Sequence, residues 1–213
     1  MELTKHAHAC VVLEKGYGRL VFDPGAFESN AAELVASTDT VLITHEHYDH
    51  FDEELLAAAL DERPELRVYG PAAVVGRWAS RDGQCVAVSE GDRLELAGFD
   101  VTVHGRDHAT IHPDIPGVAN VGYLVDGDVY HPGDAYHVPS APVRTLLLPT
   151  SGPWTKMAEA VDYVRAVAPA NLVQIHEMML SELGQQATAR YMSPGNLTSV
   201  ALTAVPQGET ISL

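Results

Sequence analysis

The chain has 213 residues, 46% of them hydrophobic, and a formal net charge of −16 from 29 acidic and 13 basic side chains. Length and apolar share suffice for a sizeable core, which makes a single domain over 1–213 the simplest expectation. The acidity argues against a nucleic-acid partner, whose phosphates demand a clustered basic footprint, and no apolar run approaches the ~20 residues that span a bilayer.

The amino terminus carries no basic region followed by an apolar stretch, so no export signal is expected. Cys10 and Cys85 are too few for a disulfide framework and too far apart for a CxxC site. Free thiols in a cytoplasmic protein are the expectation.

In chain order, residues 9–13 and 19–22 flank Gly16-Tyr17-Gly18 and read as a β-hairpin. Its second strand runs into Asp23-Pro24-Gly25, where proline and glycine turn the chain and leave Asp23 at the strand end. Asn30-Ala31-Ala32-Glu33 has the form of a helix start, with Glu33 placed to reach back to the cap. Val41-Leu42-Ile43 reads as a strand, and 51–60 as a helix with carboxylates in its first turn. A strand at 66–69, a helix through Trp78 and strands at 85–88, 93–96 and 99–103 read as scaffold. The run 104–116 is too rich in Gly, Pro and charge to be regular. Strands at 118–125 and 128–130 follow, then a helix over 157–168 capped by Thr155, a strand at 171–175, a covering helix within 178–190 and edge strands near Val200 and Ile211.

Between the 41–43 strand and the 51–60 helix lies Thr44-His45-Glu46-His47-Tyr48-Asp49-His50. Two histidines two apart on an extended backbone point the same way, so His45 and His47 can grip one ion through neutral imidazole nitrogens. Asp49 and His50 lie where the helix begins and diverge from that pair, which suits a second ion nearby. At the frequency of 11 His in 213 residues, such a string arises by chance on the order of once in a thousand chains. Histidine with carboxylate suits zinc, and manganese or iron can also be held; two ions roughly 3.5–4 Å apart can share and activate a water.

His45-x-His47-x-Asp49-His50 resembles the signature of the metallo-β-lactamase superfamily, and the likeness extends through nearly the whole chain. It implies a four-layer αββα sandwich built from two similar halves, with the site at one edge of the sheets. The stretch 19–27 resembles 128–136, and 40–44 resembles 145–149, in keeping with two halves. The resemblance supplies the remaining ligands. His108, just past a strand end, is similar to the third nitrogen beside His45 and His47, with His112 the competitor in the same loop. Asp134 resembles the carboxylate that spans both ions, and His176, at the end of a strand, the last ligand beside Asp49 and His50. His8 and Asp23 resemble supporting groups close to the metals. His112 and His137 are candidates for the pocket wall, and Ser151, Gly152 and Trp154 stand where the second half has lost its own ligands.

The implied activity is hydrolysis by two divalent ions, zinc first and manganese second, with Asp49 orienting the bridging hydroxide. Tyr48 within the motif resembles the branch of ascorbate-phosphate lactonase-like and N-acyl-phospholipid phosphodiesterase-like proteins, so a small ester, lactone or phosphodiester is the expected substrate. A metal-binding protein of the same fold without turnover is the alternative. A flavodiiron-like redox enzyme would carry glutamate in place of His47 and a flavin domain. A homo-oligomer is left open.

Overall fold

The computed structural model describes residues 1–81 and 83–213. The first half of the chain forms strands β1 (Glu2–Lys5), β2 (Val11–Lys15), β3 (Gly18–Phe22), β4 (Thr40–Leu42), β5 (Arg67–Gly70) and β6 (Cys85–Ala87), with helices α1 (Ala31–Ala36), α2 (Glu53–Glu62) and α3 (Ala72–Val75) between them. The second half forms β7 (Arg93–Leu96), β8 (Phe99–His104), β9 (Gly122–Val125), β10 (Val129–His131), β11 (Thr145–Pro149), β12 (Asn171–Ile175), β13 (Leu202–Thr203) and β14 (Thr210–Ser212), with α4 (Met157–Val167) and α5 (Glu182–Tyr191).

The strands make two seven-stranded sheets, ordered β14-β1-β2-β3-β4-β5-β6 and β13-β12-β11-β10-β9-β8-β7. In the first, β1 to β3 are antiparallel neighbours and β3 to β6 run parallel. In the second, β8 to β10 are antiparallel and β10 to β13 run parallel. The same strand programme therefore occurs twice, and the likeness of 19–27 to 128–136 marks equivalent strands, β3 and β10. Their last residues, Phe22 and His131, stack on each other across the sandwich, centroids 5.8 Å apart and planes 13° from parallel.

Side chains alternate across each strand, which assigns them to layers. Val11 and Leu13 of β2 enter the central core with Leu3, Phe22, Phe99, Tyr123, Leu147 and Ile175. Cys10 and Val12 point the other way, against Leu34 of α1 and Leu56 and Leu60 of α2. On the far side Leu146 and Leu148 of β11 meet Val161 and Val164 of α4. Helix, sheet, sheet, helix is the expected αββα order.

Some local expectations fail for physical reasons. β1 is too short to announce itself, and it exists because Leu3 pairs with Leu13 on one side and Ile211 on the other. Asn30 makes no side-chain cap of α1, and the Asn30 N–H that Glu33 was placed to reach is taken by the Glu28 carboxylate at 2.8 Å. Thr155 does not cap α4; its hydroxyl turns back to the Gly152 carbonyl. β9 starts at Gly122 rather than 118, since Asn120 and Val121 donate their N–H groups to Arg106 and Thr44 outside the ladder. Among the described residues, no helix is long and apolar enough to cross a membrane.

Candidate metal centre

The motif loop is fastened before it reaches its histidines. Asp23 sits at the end of β3 in the left-handed region (φ 47°), and its N–H donates to Leu42 O of β4 at 3.0 Å. Its buried carboxylate accepts from Thr44 N, Thr44 Oγ1 and His50 Nδ1, each at 2.7 Å. The Asp23-Pro24-Gly25 turn then lies directly on the motif. A Cβ at Gly25 would fall 2.2 Å from the Asp49 carbonyl carbon and 2.5 Å from His50 N, so only glycine fits. Ala26 N–H donates to Tyr48 O at 2.8 Å and closes the contact.

This hydrogen bonding sets tautomers. An ionised carboxylate only accepts, so Asp23 keeps a proton on His50 Nδ1 and leaves Nε2 as the nitrogen that can bind a metal. Thr44 spends its hydroxyl proton on Asp23, so its oxygen accepts from His45 Nδ1 at 3.0 Å and leaves His45 Nε2 bare. One aspartate thereby aims two imidazoles.

Beyond the motif, β8 leads to His108, β10 to Asp134 and β12 to His176. The donors fall into three groups: His45, His47 and His108; His8, Asp49, His50 and His176; and His45, His50 and Asp134. Asp134 Oδ1 lies 3.2 Å from His50 Nε2, while its Oδ2 lies 3.4 Å from His108 Nε2 and 3.1 Å from His176 Nε2. His176 Nε2 is 3.5 Å from Asp49 Oδ2, and His45 Nε2 is 3.1 Å from His47 Nδ1. Donors on a tetrahedron with bonds of about 2.0–2.2 Å stand about 3.3–3.6 Å apart, so the 3.4 and 3.5 Å spacings match an ion while the shorter ones are also within hydrogen-bond reach. The buried Nε2 atoms of His50, His108 and His176 and Asp134 Oδ1 have no hydrogen-bond partner. Buried polar atoms are rarely left so, and divalent cations bound in these donor groups would satisfy them.

Without an ion the charges rearrange around the carboxylates. Burial works against ionising Asp134, but His50 and His176 overcome it and hold its carboxyl well below the usual range. Asp49 is likewise driven low against burial by His176 and His8. Burial would lower His50 and His176, but Asp134 raises both, with Asp23 adding to His50. Burial, then His50, pushes His45 well down, and burial, then His108, lowers His47.

His8 is wholly buried at φ 57° with Nε2 3.2 Å from Asp49 Oδ2, and its carbonyl accepts the His176 N–H at 2.9 Å. His112 is exposed and receives the Asp114 N–H, while its ring borders a recess shared with His47 and His108. His137 stands 4.0 Å from Glu90 and joins none of the donor groups. Trp154 Nε1 donates to Asp134 Oδ2 at 2.8 Å, and the Ser151 hydroxyl to the His176 carbonyl. Sequence reasoning passed over Asn120, whose Oδ1 accepts from Asp134 N at 2.9 Å, and His131, buried against Ala9 O. It also missed the Lys5–Glu177 pair at 3.0 Å, which ties β1 to the residue after His176. The one signal for His131 was its place in the internal echo, opposite Phe22.

With this geometry in view, likeness to known proteins is informative. The family model of the beta-lactamase superfamily domain matches residues 2–176. The chain belongs to the β-lactamase superfamily. A relative in Mycobacterium tuberculosis, protein Rv0786c, is 41% identical over 213 residues, covering 95% of this chain and 94% of that protein. A UPF0173 metal-dependent hydrolase of Methanosphaerula palustris is 27% identical over the full length of both chains. Among solved structures, Igni18, a metallo hydrolase from Ignicoccus hospitalis, superposes with a TM-score of 0.74 at 18% identity, over 100% of this chain and 98% of its own. That last likeness concerns the fold.

Proposed function

We propose that this superfamily member works with two divalent cations, zinc or manganese, on a small ester, lactone or phosphodiester in the cytoplasm. That it is a metal-dependent hydrolase follows from its family and from a full-length relative of that name. In the proposed arrangement His45, His47 and His108 would hold the first ion and Asp49, His50 and His176 the second, with Asp134 a ligand available to both. The observation that carries this reading is the set of buried, partnerless donor atoms converging from both halves of the sandwich.

Bound there, a pair of divalent ions supplies an acidified water and polarises the scissile oxygen, so no serine or cysteine nucleophile is needed. The side chains do the positioning. Asp23 fixes the Nε2-donor tautomers of His45 and His50, directly and through Thr44. Trp154 holds the carboxylate of Asp134 and Asn120 its backbone N–H. His8 braces Asp49, whose carboxylate orients the attacking water. Cys10 and Cys85 are unpaired, in keeping with a reducing compartment.

The test is metal content. Protein purified without chelator and reloaded with zinc or manganese is expected to retain about two equivalents per chain and to hydrolyse a member of an ester, lactone and phosphodiester panel. Less than one equivalent after loading, by inductively coupled plasma mass spectrometry, overturns the dinuclear reading.

A further inference from the structure

The recess beside the first donor group suggests which substrate the site takes. It has a volume of about 400 Å³, with His47 and His108 at one end and Ile111, Pro113, Ile115 and Val118 among its walls. No Lys, Arg, Asp or Glu lines it. The loop that forms it is tied down: His108 N–H donates to Val118 O at 3.0 Å, Ala109 N–H to Asp134 O at 2.8 Å, and Ile115 N–H to His112 O at 3.0 Å. Ile115 is nonetheless half exposed, an apolar side chain held in the open beside a polar centre.

Three cations of the site-forming segments, Arg77, Lys5 and Arg106, are hydrogen-bonded to carboxylates. Arg77 lies between Glu46 at 2.6 Å and Glu53 at 2.5 Å, Lys5 bonds Glu177, Arg106 bonds Glu90 at 2.7 Å and Lys156 faces Glu159 at 3.7 Å. A phosphate remote from the scissile bond would find no basic side chain lining the recess and would meet a chain of net charge −16.

Resting on the hydrolytic reading above, we infer that the recess at Ile111, Ile115 and Val118 receives an uncharged, apolar substituent, so that the substrate is a neutral lactone or ester bearing an alkyl or aryl group. The reaction balances with water alone: the acyl–oxygen bond breaks, the water oxygen joins the acyl carbon and a water proton goes to the leaving oxygen, giving an acid and an alcohol from an ester or a single hydroxy acid from a lactone. Burying each added methylene is worth about a fourfold gain in kcat/KM until the recess is filled.

The experiment uses the full-length metal-loaded protein. Turnover is measured on 4-nitrophenyl esters from acetate to octanoate, on γ-lactones with lengthening alkyl chains, on bis(4-nitrophenyl) phosphate, and on 6-phosphogluconolactone beside unphosphorylated gluconolactone. In parallel, the affinity for the carboxylates acetate to octanoate is measured by calorimetry. Expected are a rise of kcat/KM and of affinity with chain length and no preference for the phosphorylated lactone. Ile111→Ser and the more exposed Ile115→Lys are each expected to flatten the chain-length slope. Turnover that ignores chain length, or that favours the phosphorylated lactone, overturns the inference while the hydrolase reading stands. Affinity rising with chain length but no turnover of any compound overturns the hydrolase reading and leaves the recess as an apolar binding site.

Discussion

Asp23→Asn tests the tautomer argument with little change of shape. Asparagine tolerates the left-handed backbone at this position nearly as well as aspartate, so the turn survives. The amide oxygen still accepts the Thr44 N–H, but an NH2 group now faces Thr44 Oγ1 and His50 Nδ1. Two donors cannot share one hydrogen bond, so His50 moves its proton to Nε2. Thr44, now receiving the amide proton, donates to His45 Nδ1 and shifts that ring too. Each ion thereby loses one nitrogen ligand at neutral pH. Removing the partner of a metal-ligating histidine costs 10–100-fold in metal affinity, about 1.4–2.7 kcal/mol per ion. Competition against a chromophoric chelator reads the two affinities, and far-UV circular dichroism checks the fold. Wild-type affinity for both ions in a folded Asp23→Asn protein would refute the reasoning.

Three further outcomes follow from the same geometry. Asp134 favours the protonated forms of His50 and His176, whereas Asp49 and Asp134 are held well below the usual carboxylate range by the neighbouring imidazoles. Metal must displace the imidazole protons and no carboxyl protons, so affinity is expected to rise with pH through the neutral range, and calorimetry in buffers of different ionisation enthalpy should register proton release on loading. Gly25→Ala puts a methyl group 2.2 Å from the Asp49 carbonyl carbon, so the Asp49–His50 segment shifts and the second ion is expected to dissociate more readily than the first, as stepwise chelator titration would reveal. Leu56→Ala empties a wholly buried position between α2 and the first sheet and is expected to lower stability by about 3–5 kcal/mol in denaturant unfolding.

Much of this centre was legible because it is local. The strand–loop–helix context of residues 44–50 depends on an apolar run before it and an acidic first turn after it, and both are written within twenty residues. The two halves were visible as well, since strands that occupy equivalent places keep similar residues. What stayed hidden depends on partners far along the chain. Lys5 is buried because Glu177 lies 172 residues away, and β1 is a strand because β14 closes on it. The side-chain caps expected at Asn30 and Thr155 do not form: the Asn30 N–H goes to Glu28 and the Thr155 hydroxyl turns back to the Gly152 carbonyl. His108 and His112 compete within one loop, and only the path of the chain brings His108 to His45 and His47.

The donor groups draw on both halves of the sandwich: four candidates come from residues 45–50, and His108, Asp134 and His176 come from beyond the midpoint. In the proposed arrangement the ions are a clasp across the seam between the two sheets, so their occupancy is felt by the entire molecule. Loading is therefore expected to raise the unfolding temperature in a concentration-dependent way and to slow proteolysis along the whole chain, since anything that binds only the closed form withdraws population from every open one.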